Sequence, residues 1–286
     1  MRLTDFDLYS ELIKERSGIV LSQEKSYLIE SRLSPIATEW GFANLDAMTI
    51  ELHGVPDPNL IDHIIAAITN NETSFFRNLQ AFQTFKELSL PYLLEKRIHE
   101  RGFKIWSAAT STGQEAYSLA MILKDHHSQF SHWKIDILGT DISSHVLKIA
   151  EKGEYSQFDS QRGLSIKDLL KYFTQKGEKW QISDQVKKMV RFQQFNLLDN
   201  MSNLGEFDVV FCNNVLMYFD DETKADILAR ISAQMKDDAF LYIGKQENIH
   251  VDSEHFAPIP GHKYVYAKKG SVHLKQAEKA SLQAGA

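Results

Sequence analysis

The stretch FKIWSAATSTGQEAYSLAMILKDH, residues 103–126, decides the fold. Its first eight residues form an apolar run typical of a buried strand, and the part from Gly113 to His126 has the spacing of a helix. A second apolar run, WKIDILGTD (133–141), follows after a short gap. A strand, a helix and a second strand in this order predict a βαβ unit, in which the two strands are parallel.

The same alternation continues towards the carboxyl terminus. It predicts a mostly parallel sheet covered by helices on both faces. Two segments depart from it: residues 172–195 have the pattern of short antiparallel strands inserted into the α/β order, and residues 255–269 predict a final hairpin. The remaining segments are a helix at 143–155, a strand within 207–219, a helix at 221–235 and a strand at 239–245.

The amino-terminal part has helical spacing throughout, as in the stripe of Ile29, Leu33 and Ile36. A small all-α domain is therefore expected in front of the α/β domain. The predicted boundaries are a helical domain at 1–68, a connecting motif and linker helix at 69–98, an α/β domain at 99–269 with its insertion at 172–195, and a tail at 270–286.

Composition narrows the class of protein. The chain has 286 residues, of which 43% are hydrophobic, and this is enough for a substantial core. It contains no run of about 18 apolar residues and no signal-peptide pattern, so we expect a cytoplasmic protein without direct membrane insertion. Because it has one cysteine, Cys212, we expect neither a disulfide framework nor a metal site. The first 70 residues hold 5 Lys and Arg against 11 Asp and Glu, a balance that argues against nucleic-acid binding.

Two acidic residues follow the first two strands of the predicted sheet, where ligands bind in such folds. Glu115 comes after the first strand, and Asp141 after the second, where a carboxylate can accept the ribose hydroxyls of a nucleoside. The loop has a single glycine, Gly113, which disfavours a pyrophosphate and favours a nucleoside ligand such as S-adenosylmethionine. The structural alternatives are that Glu115 interacts with its helix dipole and that Asp141 caps the next helix; spacing alone does not decide.

Polar residues also follow the later strands. Asn213 and Asn214 come after a buried strand, where unpaired amides are costly, and Asn196 lies in a similar place in FNLLD (195–199). The asparagines could instead bond loop backbone in Asx turns, and Tyr218 could be a core residue with an exposed hydroxyl. The stretch TNNETSFFRN (69–78) is too polar for the core and too aromatic for a solvated loop, although it could simply cap a helix.

Taken together, these segments resemble the CheR family of chemotaxis receptor methyltransferases over residues 5–268. The resemblance rests on six blocks in family order: TNNETSFFR, IWSAATSTGQEAYSLA, GTDISSHVLKIAEKGEYS, FNLLD, FDVVFCNNVLMYFD and IGKQEN. It implies a Rossmann-like S-adenosylmethionine-dependent methyltransferase domain with a small antiparallel insertion, preceded by a small all-α domain. It also implies methylation of glutamate side chains on the cytoplasmic helical bundle of chemoreceptors, with S-adenosylhomocysteine as product, by a monomer.

The resemblance assigns roles to particular residues. Arg77 and Tyr218 are the expected catalytic residues. The expected cofactor contacts are Asn71, Thr73, Arg77, Glu115, Asp141, Asn196, Leu197, Asn213 and Asn214.

Three departures from the family pattern keep alternatives open. Asn213 stands where the family usually has an arginine, and the acidic front leaves Lys25 and Arg32 as the main cations for docking a receptor. The insertion has a short loop, TQKGEKWQ, so we do not expect dependence on a receptor tail peptide. The alternatives are a cofactor-binding signalling or adaptor protein with weak or no methyl transfer, and a methyltransferase for a small molecule or nucleic acid.

Overall fold

The computed structural model describes residues 3–130, 132–247 and 254–275. The chain forms two compact units. The helical unit comprises Met1–Glu72 and Tyr218–Thr223, and the sheet unit comprises Thr73–Met217 and Lys224–Ala286. Within the described ranges, no helix has both the length and the apolar composition needed to cross a bilayer.

Apolar residues at helical spacing build the helical unit. Gly18, at a φ of 76°, ends the first helix, and the side chains of Asn44 and Asp57 cap the third and fourth. The apolar stripe predicted on the second helix is buried through Ile29 and Leu33. The α-helices of this unit are α1 (Leu3–Ser17), α2 (Ser26–Glu39), α3 (Leu45–Leu52) and α4 (Pro58–Ile68).

Arg32 has a structural role in the helical unit. Its Nη1 donates to the carbonyl oxygens of Ile68 at 2.7 Å and Thr69 at 3.2 Å, at the carboxyl end of α4. Helix ends leave such carbonyls without partners within the helix, and a guanidinium satisfies them well. The expectation that Arg32 and Lys25 serve receptor docking stays a prediction.

Within the ranges that the structure describes, the sheet unit contains ten strands in two sheets. Its helices are α5 (Leu79–Thr84), which continues through a π-helical turn at Phe85–Ser89 into α6 (Leu90–Lys96), then α7 (Gln114–Asp125), α8 (Ser144–Lys152), α9 (Gln157–Gln161), α10 (Ile166–Tyr172), α11 (Asp184–Lys187) and α12 (Asp221–Ala233), which starts in the short second segment of the helical unit. Its strands are β1 (Gly102–Ala108), β2 (Lys134–Asp141), β3 (Glu154–Ser156), β4 (Phe173–Lys176), β5 (Lys179–Ile182), β6 (Val190–Gln194), β7 (Phe207–Cys212), β8 (Met235–Ile243), β9 (Phe256–Pro258) and β10 (Val265–Lys268).

The main sheet has the order β6-β2-β1-β7-β8-β10-β9. β6, β2, β1, β7 and β8 are parallel, and the β9–β10 hairpin joins them antiparallel, as the sequence predicts. Every residue of β7 is buried, which explains its apolar run from Val209 to Cys212. The chain runs outward from β1 to β6 and returns to β7, so the strand order reverses between β1 and β7.

The second sheet is antiparallel, in the order β3-β5-β4. It differs from the predicted insertion at 172–195, because it takes up Glu154–Ser156, whereas Val190–Gln194 pairs with β2 of the main sheet. Phe192 accounts for this placement. A Cβ on Gly139 would lie 2.7 Å from the Phe192 ring, so the glycine in β2 makes room for the ring of its neighbouring strand.

Candidate active site

Four neighbouring parallel strands, β6, β2, β1 and β7, end at the same edge of the main sheet. The loops that follow them carry most of the predicted cofactor contacts. Because the strand order reverses between β1 and β7, a crevice is expected between their carboxyl ends.

The loop after β1 has an unusual backbone. Ala109 and Ser111 both have a φ of 53°, in the left-handed region, and Gly113 has a φ of 89°. A Cβ on Gly113 would lie 2.9 Å from the Cβ of Ala150, so glycine is required by both conformation and space. Strained backbone of this kind is common at functional sites.

Glu115, at the start of α7, joins the ends of β1 and β7. Its Oε1 accepts from the Ser107 hydroxyl at 2.7 Å, and its Oε2 accepts from the Asn213 amide at 2.7 Å. Burial raises the pKa of Glu115 to about 7, although the two hydrogen bonds and the Arg77 guanidinium act in the opposite direction. The side chain does more than interact with a helix dipole, because uncharged donors from two strand ends hold its carboxylate in place.

Asp141, at the end of β2, ties two loops together. Its Oδ2 accepts from the backbone N–H of Ser111 at 2.8 Å, and its Oδ1 accepts from the backbone N–H of Ser143 at 3.0 Å. Burial raises the pKa of this carboxyl despite these bonds. Each carboxylate oxygen has two acceptor positions, so a structural role at the start of α8 leaves room for a ribose hydroxyl.

Asn196 and Leu197 follow β6. The Asn196 Oδ1 accepts from the backbone N–H of Leu198 at 3.0 Å, which closes an Asx turn, and Leu197 is buried. The Asx turn considered for the Asn213 side chain is therefore found at Asn196, whereas the Asn213 amide bonds Glu115.

The loop after β7 is held by Glu247, a residue that sequence reasoning missed. Asn214 has a φ of 61°, and its backbone N–H donates to Glu247 Oε2 at 2.6 Å. Glu247 belongs to the IGKQEN block that supports the family resemblance, but a block match alone assigns no role. Only the fold shows that this carboxylate reaches the end of another strand.

The motif at 69–78 is fixed by its aromatic residues. Phe75 is fully buried and packs edge-to-face against Tyr155 at 5.0 Å and Phe173 at 5.4 Å. The backbone N–H of Phe76, a residue in the left-handed region, donates to the Ser118 hydroxyl at 3.0 Å. This contact places the segment beside the first turns of α7, which carry Glu115.

The polar residues of the motif have separate roles. The Asn78 side chain accepts from the backbone N–H of Ala81 and caps α5, which confirms the helix-cap interpretation for that residue. Arg77 is exposed, and its guanidinium lowers the pKa of Glu115. Thr73 lies in the same unit and is half-buried.

Asn71 and Tyr218 belong to the helical unit. There the Tyr218 hydroxyl accepts from the side chain of Asn70 at 2.9 Å, and the Tyr218 carbonyl accepts from the backbone N–H of Val20. Their predicted roles at the cofactor and at the transferring methyl stay predictions.

The residues at this edge fit S-adenosylmethionine. Among the described residues, five buried side-chain atoms have no hydrogen-bond partner. Asn78 Nδ2, Ser143 Oγ and Asn213 Oδ1 lie in the segments predicted to surround the cofactor, and Arg230 Nε and Ser271 Oγ lie outside them. Buried polar atoms of this kind need a partner. Glu115 adds a carboxylate suited to a cation. A ligand with an ammonium group, a sulfonium and ribose hydroxyls supplies the missing charges, donors and acceptors.

Comparison with known proteins identifies the family. Residues 71–265 match the CheR methyltransferase SAM-binding domain, and residues 4–69 match the CheR methyltransferase all-alpha domain. The chain is 34% identical to chemotaxis protein methyltransferase Cher2 of Pseudomonas putida and 36% identical to chemotaxis protein methyltransferase 1 of Pseudomonas aeruginosa, in each case over 88% of this chain and 93% of the relative.

A solved structure is also similar, a TehB-like SAM-dependent methyltransferase from Corynebacterium glutamicum. It is 16% identical, with a TM-score of 0.35 over 65% of this chain and 93% of that one. The matches to both domains and the identity along most of the chain show that the protein belongs to the CheR family of methyltransferases, which act in chemotaxis and use S-adenosylmethionine.

Proposed function

We propose that the chain methylates glutamate side chains on the cytoplasmic helical bundle of chemoreceptors, forming glutamyl methyl esters. The observation that carries this proposal is the charge arrangement beside the cofactor loop. The Arg77 guanidinium lowers the pKa of the buried Glu115 carboxyl, and it is a cation of the kind that pairs with a carboxylate. The names of the chemotaxis relatives support a receptor as the acceptor.

The residues that hold the cofactor follow from the strand ends. We infer that Glu115 accepts from the cofactor ammonium group and that Asp141 accepts from the ribose hydroxyls. Asn196 and Leu197 lie on the adenosine side, and Asn213 and Asn214 on the side of the methionine part. Thr73 and Arg77 contribute from the motif that precedes α5.

The reaction requires orientation rather than proton removal. S-adenosylmethionine supplies a methyl group on a positively charged sulfur, which an oxygen nucleophile can attack directly. A glutamate side chain has a pKa near ~4.3 and is already a carboxylate at neutral pH, so no general base is needed. Arg77 would orient the acceptor carboxylate, and the buried Phe75 keeps the motif packed on the sheet unit.

The test is a methyl-transfer assay with labelled S-adenosylmethionine and the cytoplasmic domains of receptors from the same organism. We expect label on receptor glutamates as a base-labile ester, and loss of label from a receptor whose acceptor glutamates are changed to glutamine. Absence of transfer to every receptor of the organism would contradict the proposal. Receptor binding without turnover would favour the adaptor alternative instead.

A further inference from the structure

Glu247 is a buried carboxylate to which the sequence assigns no role in the predicted site. It follows β8, and its side chain is buried. Its Oε2 accepts from the backbone N–H groups of Asn214 at 2.6 Å and Gly244 at 3.0 Å, and its Oε1 accepts from that of Met217 at 3.4 Å. One side chain thus serves the backbone of two loops.

These bonds hold the chain where it leaves β7. N–H groups that leave a sheet lose their ladder partners and need new acceptors. Asn214 also has a φ of 61°, a conformation that a residue other than glycine keeps only when its surroundings fix it. A Cβ on Gly244 would lie 2.7 Å from Glu247 Oε2 and 3.0 Å from the Asn214 nitrogen, so glycine is required for this approach.

The residue before this turn is Asn213, whose amide donates to Glu115. We propose that Glu247 is a positioning residue for the cofactor site: by fixing the backbone at Asn214, it sets the direction of Asn213 and, through it, the placement of the Glu115 carboxylate. This inference depends on the use of S-adenosylmethionine by the family and not on the proposed glutamate acceptor.

A carboxylate suits this task better than an amide. Its two oxygens accept from backbone N–H groups of both loops, and such bonds to a charged acceptor are stronger than neutral ones. A glutamine has one acceptor oxygen and would turn an NH₂ group towards one set of N–H donors. The substitution Glu247→Gln therefore removes acceptors without changing the volume of the side chain.

The test measures S-adenosylhomocysteine binding by calorimetry, together with amide hydrogen exchange. For Glu247→Gln we expect about tenfold weaker binding and faster exchange at Asn214 and Met217, with exchange in the β7 core unchanged. Glu95→Gln, at an exposed position on α6, is the matched control and should bind as the wild type does. Because no acceptor protein is needed, the result is independent of whether receptors are methylated.

Binding by Glu247→Gln within about twofold of the wild type would overturn the proposal, as would weaker binding with unchanged exchange at the loop amides. If that variant does not fold, Glu247→Asp replaces it, since it keeps both oxygens on a shorter side chain. Weaker binding with a folded sheet then supports the proposal, and unchanged binding overturns it.

Discussion

Buried charged groups have different partners at the two ends of the parallel sheet. Near the amino ends of β7 and β8, Asp208 accepts from Arg97 Nε at 2.7 Å, from Lys236 Nζ at 2.8 Å and from the backbone N–H of Lys104 at 2.8 Å. Arg97 also contacts Asp238 at 2.5 Å and lowers the pKa of that carboxyl, although burial alone would raise it. Acids and bases are matched at this end.

At the carboxyl ends of the strands, in the described part of the chain, the buried carboxylate has no paired base among its hydrogen-bond partners, and some buried polar atoms have no partner. Glu115 is held by a hydroxyl and an amide, and burial raises its pKa to about 7. Asn213 Oδ1 and Ser143 Oγ are buried without partners among the described residues, as is Ser271 Oγ beyond β10 at the opposite end. The ion cluster at the amino end stabilises the fold, whereas the carboxyl end has groups whose partners a ligand can supply.

Disruption of the ion cluster at the amino ends of the strands should have the largest effect, and this effect should be on the stability of the fold. Removal of one member of a buried ion pair leaves the other charge unpaired, so Arg97→Ala is expected to lower the free energy of unfolding by about 3–5 kcal/mol. Denaturant unfolding measures this loss. The folded fraction should still bind S-adenosylhomocysteine with an affinity within about twofold of the wild type.

The control for this variant is Asp237→Asn, which removes a fully exposed carboxylate 3.4 Å from Lys268. Its effect on the free energy of unfolding should stay below about 0.5 kcal/mol. A loss of cofactor affinity in Arg97→Ala as large as its loss of stability would mean that the two ends are not separable.

A substitution at the carboxyl ends of the strands should instead change the affinity for the cofactor. Glu115→Gln removes a carboxylate that we place at the cofactor ammonium group, so S-adenosylhomocysteine should bind about 10- to 100-fold more weakly. The ligand-free variant should be at least as stable as the wild type at pH 8, because the buried ionised carboxylate is gone. Calorimetry and thermal unfolding test both parts. Lower stability with unchanged binding would assign Glu115 to the fold.

Arg77 tests the motif at the same end. Arg77→Ala should reduce cofactor binding or turnover at least tenfold, or ~1.4 kcal/mol, while the fold stays intact because Phe75 anchors the segment. Arg77→Lys keeps the charge but not the planar fork and should recover part of the loss. Normal activity in Arg77→Ala would mean that residues 69–78 serve only to start helix α5, which Asn78 caps.

The pH dependence gives the smallest effect. With a pKa of about 7, Glu115 is mostly protonated at pH 6 and mostly ionised at pH 8. S-adenosylhomocysteine affinity should therefore rise up to about tenfold across this range and stay flat in Glu115→Gln.

The same shift affects stability with the opposite sign. Because the folded pKa lies above the usual 4.5, the stability from this group is present below pH 4.5 and is lost as pH rises to about 7. A wild-type affinity that does not change with pH would contradict the placement of Glu115 at the ammonium group.

Much of this account was predictable from local sequence. The apolar runs predict β1, β2 and β7, and the positions of Glu115 and Asp141 after strands identify them as ligand candidates. Pairing between distant segments was not predictable, since a strand pattern does not name its partner. For this reason the insertion predicted at 172–195 includes Val190–Gln194, which pairs with β2 of the main sheet, and the sequence does not identify Glu247 as a contact of the β7 loop.

The central claim is that the carboxyl ends of β6, β2, β1 and β7 form the S-adenosylmethionine site. A crystal structure with S-adenosylhomocysteine tests it most directly. The account predicts the ligand at this edge, with its ammonium group at Glu115 and its ribose hydroxyls at Asp141. Ligand density elsewhere, or at this edge without contact to either carboxylate, would contradict it.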